Sequence, residues 1–159
     1  KLETIFGNYK TGLSLVDAMK KKIVAEANVY RIETNLDLSH IRFNGKDYIN
    51  ADLEKSIRVK SRNELIAVVL HNYFSEGKAG QLQGVVFCVN TNHAQEMERV
   101  LNAKGLSAKA YTRKTKNPDE VMQQFREKKI RFLCACEMIS EGWDYPELGI
   151  LVMARPTLS

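Results

Sequence analysis

From residue 61 onward, stretches with helical spacing of apolar residues alternate with short, continuously apolar runs. Residues 61–78 (SRNELIAVVLHNYFSEGK) place Leu65, Val68, Val69 and Tyr73 at helical spacing. Ser61 and Glu64 stand at capping-box positions, and Gly77 marks a stop. Residues 84–89 (GVVFCV) are apolar without a break and predict a strand buried on both faces. A second helix is predicted from a cap at Asn92, with Gln95 as its box partner. It carries Ala94, Met97, Val100 and Leu101 on one face and ends at Gly105. SAKAYT (107–112) predicts a second strand. Asn117, Pro118 and Glu120 then supply cap, first-turn proline and box partner for a third helix bearing Val121, Met122 and Phe125. RFLCAC (131–136) and GILVMA (149–154) predict the last two strands, joined through a short helix.

This order predicts an α/β domain, a parallel sheet flanked by helices. Such sheets bind ligands at the carboxyl ends of their strands. The connections that matter are therefore residues 90–92, 112–118, 136–147 and 154–159. Residues 1–60 read differently, as a lead-in arm. LSLVDAMKKK is a short amphipathic helix with Ser14 as its cap, and residues 28–48 alternate like a strand or hairpin with Asn44-Gly45 at the turn.

Composition narrows the class. The chain has 159 residues, 44% hydrophobic and 27% charged, and no run approaches the roughly 18 apolar residues of a membrane span. Lys plus Arg number 24 against 19 acids, a net charge of +5, which suits a polyanionic partner without demanding one. The three cysteines, Cys88, Cys134 and Cys136, sit inside apolar runs and read as buried small hydrophobes in a reducing, cytoplasmic setting. His40, His71 and His93 lack ligand partners at metal spacing, so no metal is expected on this chain alone. A first residue other than Met suggests a piece of a longer protein.

No complete active site is written in the chain. FNGKDY has a Gly-Lys pair but neither the earlier glycine nor the following hydroxyl of a phosphate loop. The acids of PDEV (118–121) read as helix-start residues. TRKTK (112–116) sets Arg113, Lys114 and Lys116 between a strand and a helix N-terminus, where phosphate is favoured. Asn90, Thr91 and Asn92 form a second polar strand-to-helix turn. Taken singly, each turn reads as solvated turn and cap residues; together, on one edge of a basic chain, the two suit phosphate equally well.

The most specific stretch is CACEMISEGWDYPELGILVMARPTLS (134–159). It resembles motif V and the following strand of superfamily-two helicases of the DEAD/DEAH-like kind. Glu141 to Pro146, followed by Arg155 to Thr157, carry the likeness. GVVFCVNTNHAQEM resembles motif IV, and AYTRKTKNPDEVMQQFREKKIRFL resembles the segment between the two. YKTGLSLVDAMKKKIVAEANVYRIETNLDLS is similar to the linker after the first motor domain in restriction-enzyme and repair-type members. The chain departs from many relatives at Cys136, where they use a threonine hydroxyl, and at Trp143, where an aliphatic residue is usual. Trp143 either packs on a partner domain or fills the sheet edge.

The resemblance implies a RecA-like second motor domain over 61–159, ending before motif VI, with 1–60 as lead-in from the first domain. ATP and Mg2+ would be held mainly by that first domain. Glu141, Gly142 and Asp144 would line the ATP cleft. Asn90, Thr91, Asn92, Thr112, Arg113, Cys136 and Glu137 would grip a nucleic-acid strand, DNA in the restriction–modification or repair sense, with RNA as the alternative. No catalytic residue is expected in the chain itself, and alone it should be inactive. The rival reading is a non-catalytic α/β module that binds nucleic acid or protein.

Overall fold

The computed structural model describes residues 12–32, 60–136, 138–139 and 143–155. They divide into two compact units, one within Lys1–Glu33 and one within Thr34–Ser159. In the first, helix α1 spans Leu15–Lys20 and is capped as expected: the Ser14 hydroxyl oxygen accepts from Asp17 N at 3.1 Å. Residues 28–32 have no regular structure, and the rest of the expected hairpin lies outside the described residues.

In the second unit the described elements are α2 (Lys60–Phe74), β1 (Gln83–Phe87), α3 (Thr91–Ala103), β2 (Ala108–Tyr111), α4 (Pro118–Arg126), β3 (Phe132–Ala135) and β4 (Leu148–Met153). A short 3₁₀ turn at Ala79–Gln81 leads into β1. The four strands form one parallel sheet in the order β2-β3-β1-β4. The step from β1 to β2 and the step from β2 to β3 run in opposite directions across this sheet. Right-handed crossovers must then place α3 and α4 on opposite faces.

The packing agrees with that rule. On one face, Val86, Phe132, Cys134 and Ile150 meet Ile66 and Leu70 of α2 and Met97 and Leu101 of α3. On the other, Val85 and Leu133 meet Val121 and Phe125 of α4, and Trp143 and Tyr145 pack beside them. Trp143 thus fills the sheet's second face, stacked on Tyr145 with ring centroids 5.7 Å apart. Gly84 is required where β1 is crowded from both sides, because a Cβ there would lie 2.7 Å from the Phe132 ring.

Several sequence expectations shift. Ser61, expected as the cap of α2, lies inside that helix, which begins at Lys60. α2 buries Asn63, Ile66, Ala67 and Leu70, whereas Leu65 and Tyr73, expected inside, are exposed. Residues 65–70 are apolar all the way round, so spacing alone does not choose the buried face. The cap of α3 is Asn90, not Asn92: Asn90 Oδ1 accepts from His93 N at 2.9 Å, and Asn92 lies inside the helix. Asn117 does precede α4, but its Nδ2 donates to Glu120 Oε2 at 3.0 Å instead of its side chain capping the backbone. The short helix expected before β4 falls partly outside the described residues; 138–139 and 143–147 are not helical. At Gly105 (φ 75°) α3 stops as expected, with Leu106 N on Leu101 O and Gly105 N on Asn102 O.

Two polar locks hold the framework. Buried Gln83 donates from Nε2 to Phe125 O and Ile130 O, at 2.6 and 2.9 Å, and its Oε1 accepts from Tyr145 at 2.6 Å. Arg131 donates to Phe74 O, Ala79 O and Leu82 O, satisfying carbonyls at the end of α2 and in the turn that follows. The β2 edge is closed as well. Asn102 bonds both Ala108 N and Ala108 O, Glu98 accepts from Ala110 N, and Thr115 donates to Ala110 O. The outward backbone groups of Ala108 and Ala110 are thereby taken, which protects the edge from strand addition.

Gln83→Leu strands two carbonyls and a phenol, so it is expected to lower the unfolding free energy by about 1–3 kcal/mol, with Tyr145→Phe costing about 1 kcal/mol. Urea unfolding reads both, and wild-type midpoints would contradict the lock. A second expectation concerns the buried thiols. Burial is the main cause that pushes Cys88 and Cys134 well above the ordinary thiol range. Folding therefore favours the protonated thiols, and this contribution is intact below about pH 9, where a free thiol ionises, and fades as pH rises above it. Native protein at pH 7.5 should leave both unmodified by a thiol-alkylating reagent, and stability should decline above pH 9. Rapid native-state alkylation of Cys88 would contradict this.

Candidate nucleic-acid and nucleotide interface

The parallel sheet delivers every strand's carboxyl end to one edge. Register sets what stands there. Phe87 pairs with Ala135, so Cys88 and Cys136, one residue further on, are lateral neighbours, and Cys88 N donates to Ala135 O at 2.8 Å. Beyond Cys88 the chain turns into α3, and Thr91 Oγ1 comes within 3.8 Å of Cys136 Sγ. Residues 45 apart in sequence, both expected at the grip, are thus brought together. The Cys136 thiol thus sits beside a hydroxyl supplied by the turn of the neighbouring strand.

The β1 turn is held from behind by residues that spacing did not single out. Val89 N donates to His93 Nδ1 at 3.1 Å. That fixes the proton on Nε2, which faces Asn63 Oδ1 at 3.1 Å. His93 and Asn63 are both 1% exposed. This buried relay ties the first turn of α2 to the turn of residues 89–91. The available signal was a polar residue on an apolar helical face, His93 beside Ala94 and Asn63 beside Ile66.

The β2 turn is built differently. Thr112 N donates to Thr115 Oγ1, Thr115 N to Thr112 O, and Lys114 N to Thr112 Oγ1. Thr112 is 2% exposed, so it shapes the turn from inside, and exposed Arg113, Lys114 and Lys116 are what the turn presents. A cleft of about 460 Å³ runs alongside, lined by Gln95, Glu98, Lys114, Lys116, Asn117 and Glu120 among others. Since β3 separates β2 from β1, the two turns stand about 10 Å apart, two strand spacings.

After β3, Trp143 and Tyr145 are anchored on the sheet and Asp144 between them is exposed. Glu137, Glu141 and Gly142 lie outside the described residues. At the end of β4, Ala154 N donates to Phe87 O at 3.0 Å, and Ala154 O accepts from Arg62 Nη1 at 3.0 Å. Arg62 was not foreseen, and burial lowers the pKa of its guanidinium.

Among the described residues no group of three or more His, Cys, Asp and Glu is arranged to hold a metal ion. Among the same residues no helix is long and apolar enough to cross a membrane.

Comparison with known proteins places this geometry in a family. Residues 60–159 match the helicase conserved C-terminal domain. The chain is 25% identical over 148 residues to IRC3 of Saccharomyces cerevisiae, which is named as an ATP-dependent helicase. That alignment covers 91% of this chain and 21% of the relative. It is 27% identical over 127 residues to a 51.5 kDa protein of a Lactococcus phage, covering 79% of this chain and 27% of that protein. It is 25% identical over 138 residues to irc3 of Schizosaccharomyces pombe, named as a mitochondrial ATP-dependent helicase, covering 86% and 22%. The chain therefore spans between about a fifth and just over a quarter of the length of these relatives. With its parallel RecA-like sheet and this match, the chain belongs to the superfamily-two helicases, as their conserved C-terminal domain.

Proposed function

We propose that this chain is the second motor domain of an ATP-dependent DNA helicase or translocase of the restriction or repair type. In this reading its carboxyl edge grips one strand's phosphates and completes an ATP cleft with a first RecA-like domain. The observation that carries the reading is the juxtaposition of Thr91 and Cys136 at the carboxyl ends of adjacent strands, 3.8 Å apart, in line with the basic turn at Arg113. The names of the yeast relatives support ATP use.

The chain's own residues divide the work. Arg113 and its neighbours supply charge, Thr91 supplies a hydroxyl, and Asn90 fixes the start of α3 so that the helix's first amides face outward at the edge. Such contacts read backbone and not base edges, so binding is sequence-independent and salt-sensitive. Asp144 fits a nucleotide's hydroxyls, because its carboxylate is exposed between two anchored aromatic residues. Glu141 and Gly142 are proposed to stand with it. ATP, held with Mg2+ mainly by the first domain, supplies the phosphoanhydride bond whose hydrolysis drives domain closure and release.

The full-length protein should hydrolyse ATP faster with double-stranded DNA, and Asp144→Ala should lower that stimulated rate about tenfold or more while leaving the fold intact. The isolated 159 residues should show no turnover. Steady-state hydrolysis assays read all three. Absence of hydrolysis with DNA and with RNA would sink the motor reading and leave a non-catalytic binding module.

A further inference from the structure

Arg62 sits in the first turn of a 15-residue helix that has no acid in that turn. The helix dipole disfavours a cation there, so helix stability does not account for the residue. Its head group is half-buried and bonds the carbonyl of Ala154. No acid lies within ion-pair distance of it among the described residues. A carbonyl can be satisfied by a neutral donor. Withdrawing a charge from water without an opposite charge is costly, and an anion from outside would offset the cost.

The position agrees. Ala154 is bonded to Phe87 at the end of β1, Cys88 follows, and Cys88 N is bonded to Ala135, one residue before Cys136, the neighbour of Thr91. Burial lowers the Arg62 pKa and the Cys88 thiol is near enough to perturb it, which agrees with this placement. Along the edge the order is the Arg113 turn on β2, Cys136 on β3, Asn90 and Thr91 on β1, then Arg62 at the end of β4. Among the described residues, the middle of this row is neutral and its two ends are cationic. Three strand spacings give about 14 Å, or roughly four nucleotides at 3.4 Å each.

We propose that Arg62 is a further phosphate-binding residue of this edge, anchoring an anion at the β4 end of the row as Arg113 does at the β2 end. This rests on the motor reading above. The phosphate comes either from the nucleic-acid strand or from the bound nucleotide, and the experiment separates the two.

In the full-length protein, ATP hydrolysis is titrated with double-stranded DNA at several salt concentrations for wild type, Arg62→Gln and Arg62→Lys. For a strand phosphate, Arg62→Gln raises the half-saturating DNA concentration about five- to tenfold. It also flattens the log–log salt dependence by about 0.7–0.9, one phosphate contact. Arg62→Lys keeps the salt slope, and the KM for ATP at saturating DNA is unchanged in both. For a nucleotide phosphate, the KM for ATP rises in Arg62→Gln and the salt slope stays.

Wild-type values of both quantities in Arg62→Gln would overturn the proposal and leave Arg62 as a tie between α2 and β4. Should that variant fail to fold, phenylglyoxal modification of Arg62 in the wild-type protein, read by mass spectrometry, gives the same decision. Slowing by DNA or by ATP supports the site, and modification unchanged by both refutes it. A wild-type protein that no nucleic acid stimulates fails the motor reading itself, before Arg62 is at issue.

Discussion

The parallel pairing of β1 with β3 on one side, in unbroken register, and with β4 on the other is the constraint from which the rest follows. With β1 in the middle, the carboxyl ends of all three strands lie next to each other, and Cys88, Cys136 and Ala154 become neighbours although 66 residues separate the first from the last. A one-residue slip between β1 and β3 would turn Cys136 to the opposite face and remove it from Thr91. The crowding around Gly84 opposes such a slip, because only a residue without Cβ fits between Phe132 and Ile150.

Around this centre, polar side chains act together with apolar contacts to hold the segments at the carboxyl edge. Apolar packing sets distances between layers but tolerates small rotations. A hydrogen-bonded side chain in the interior has far fewer acceptable positions. Gln83 fastens Tyr145 and so the segment that presents Asp144. The Asn63–His93 relay fastens the turn that presents Thr91, and Thr112 with Thr115 closes the turn that presents Arg113. Each of these three segments is held by its own lock, and each lock reaches into a different part of the core.

Much of the fold was legible because each element has a local signature. Continuous apolar runs marked β1 and β3, and the spacing of Ala94, Met97, Val100 and Leu101 gave the buried face of α3 correctly. The α2 face was not legible, since LIAVVL offers no polar side and the neighbours that choose it lie elsewhere in the chain. In N-T-N either asparagine satisfies the capping pattern, and the choice of Asn90 follows from where β1 ends. At the edge, Thr91 and Cys136 could be nominated from motif likeness. Their partners could not: Asn63 meets His93 across 30 residues, Gln83 meets Tyr145 across 62, and Arg62 meets Ala154 across 92. No local pattern encodes contacts of that range.

The central claim is that the carboxyl edge of this sheet is the working face of the domain. Hydrogen exchange across the full-length protein, with and without double-stranded DNA, tests it most directly, since bound phosphates slow exchange of the amides they touch. The account predicts protection gathered at residues 88–93 and 112–116, with the opposite ends of the strands, around 104–107 and 127–131, unchanged. Protection confined to those opposite ends, or none anywhere in this domain under conditions where DNA is bound, would contradict it.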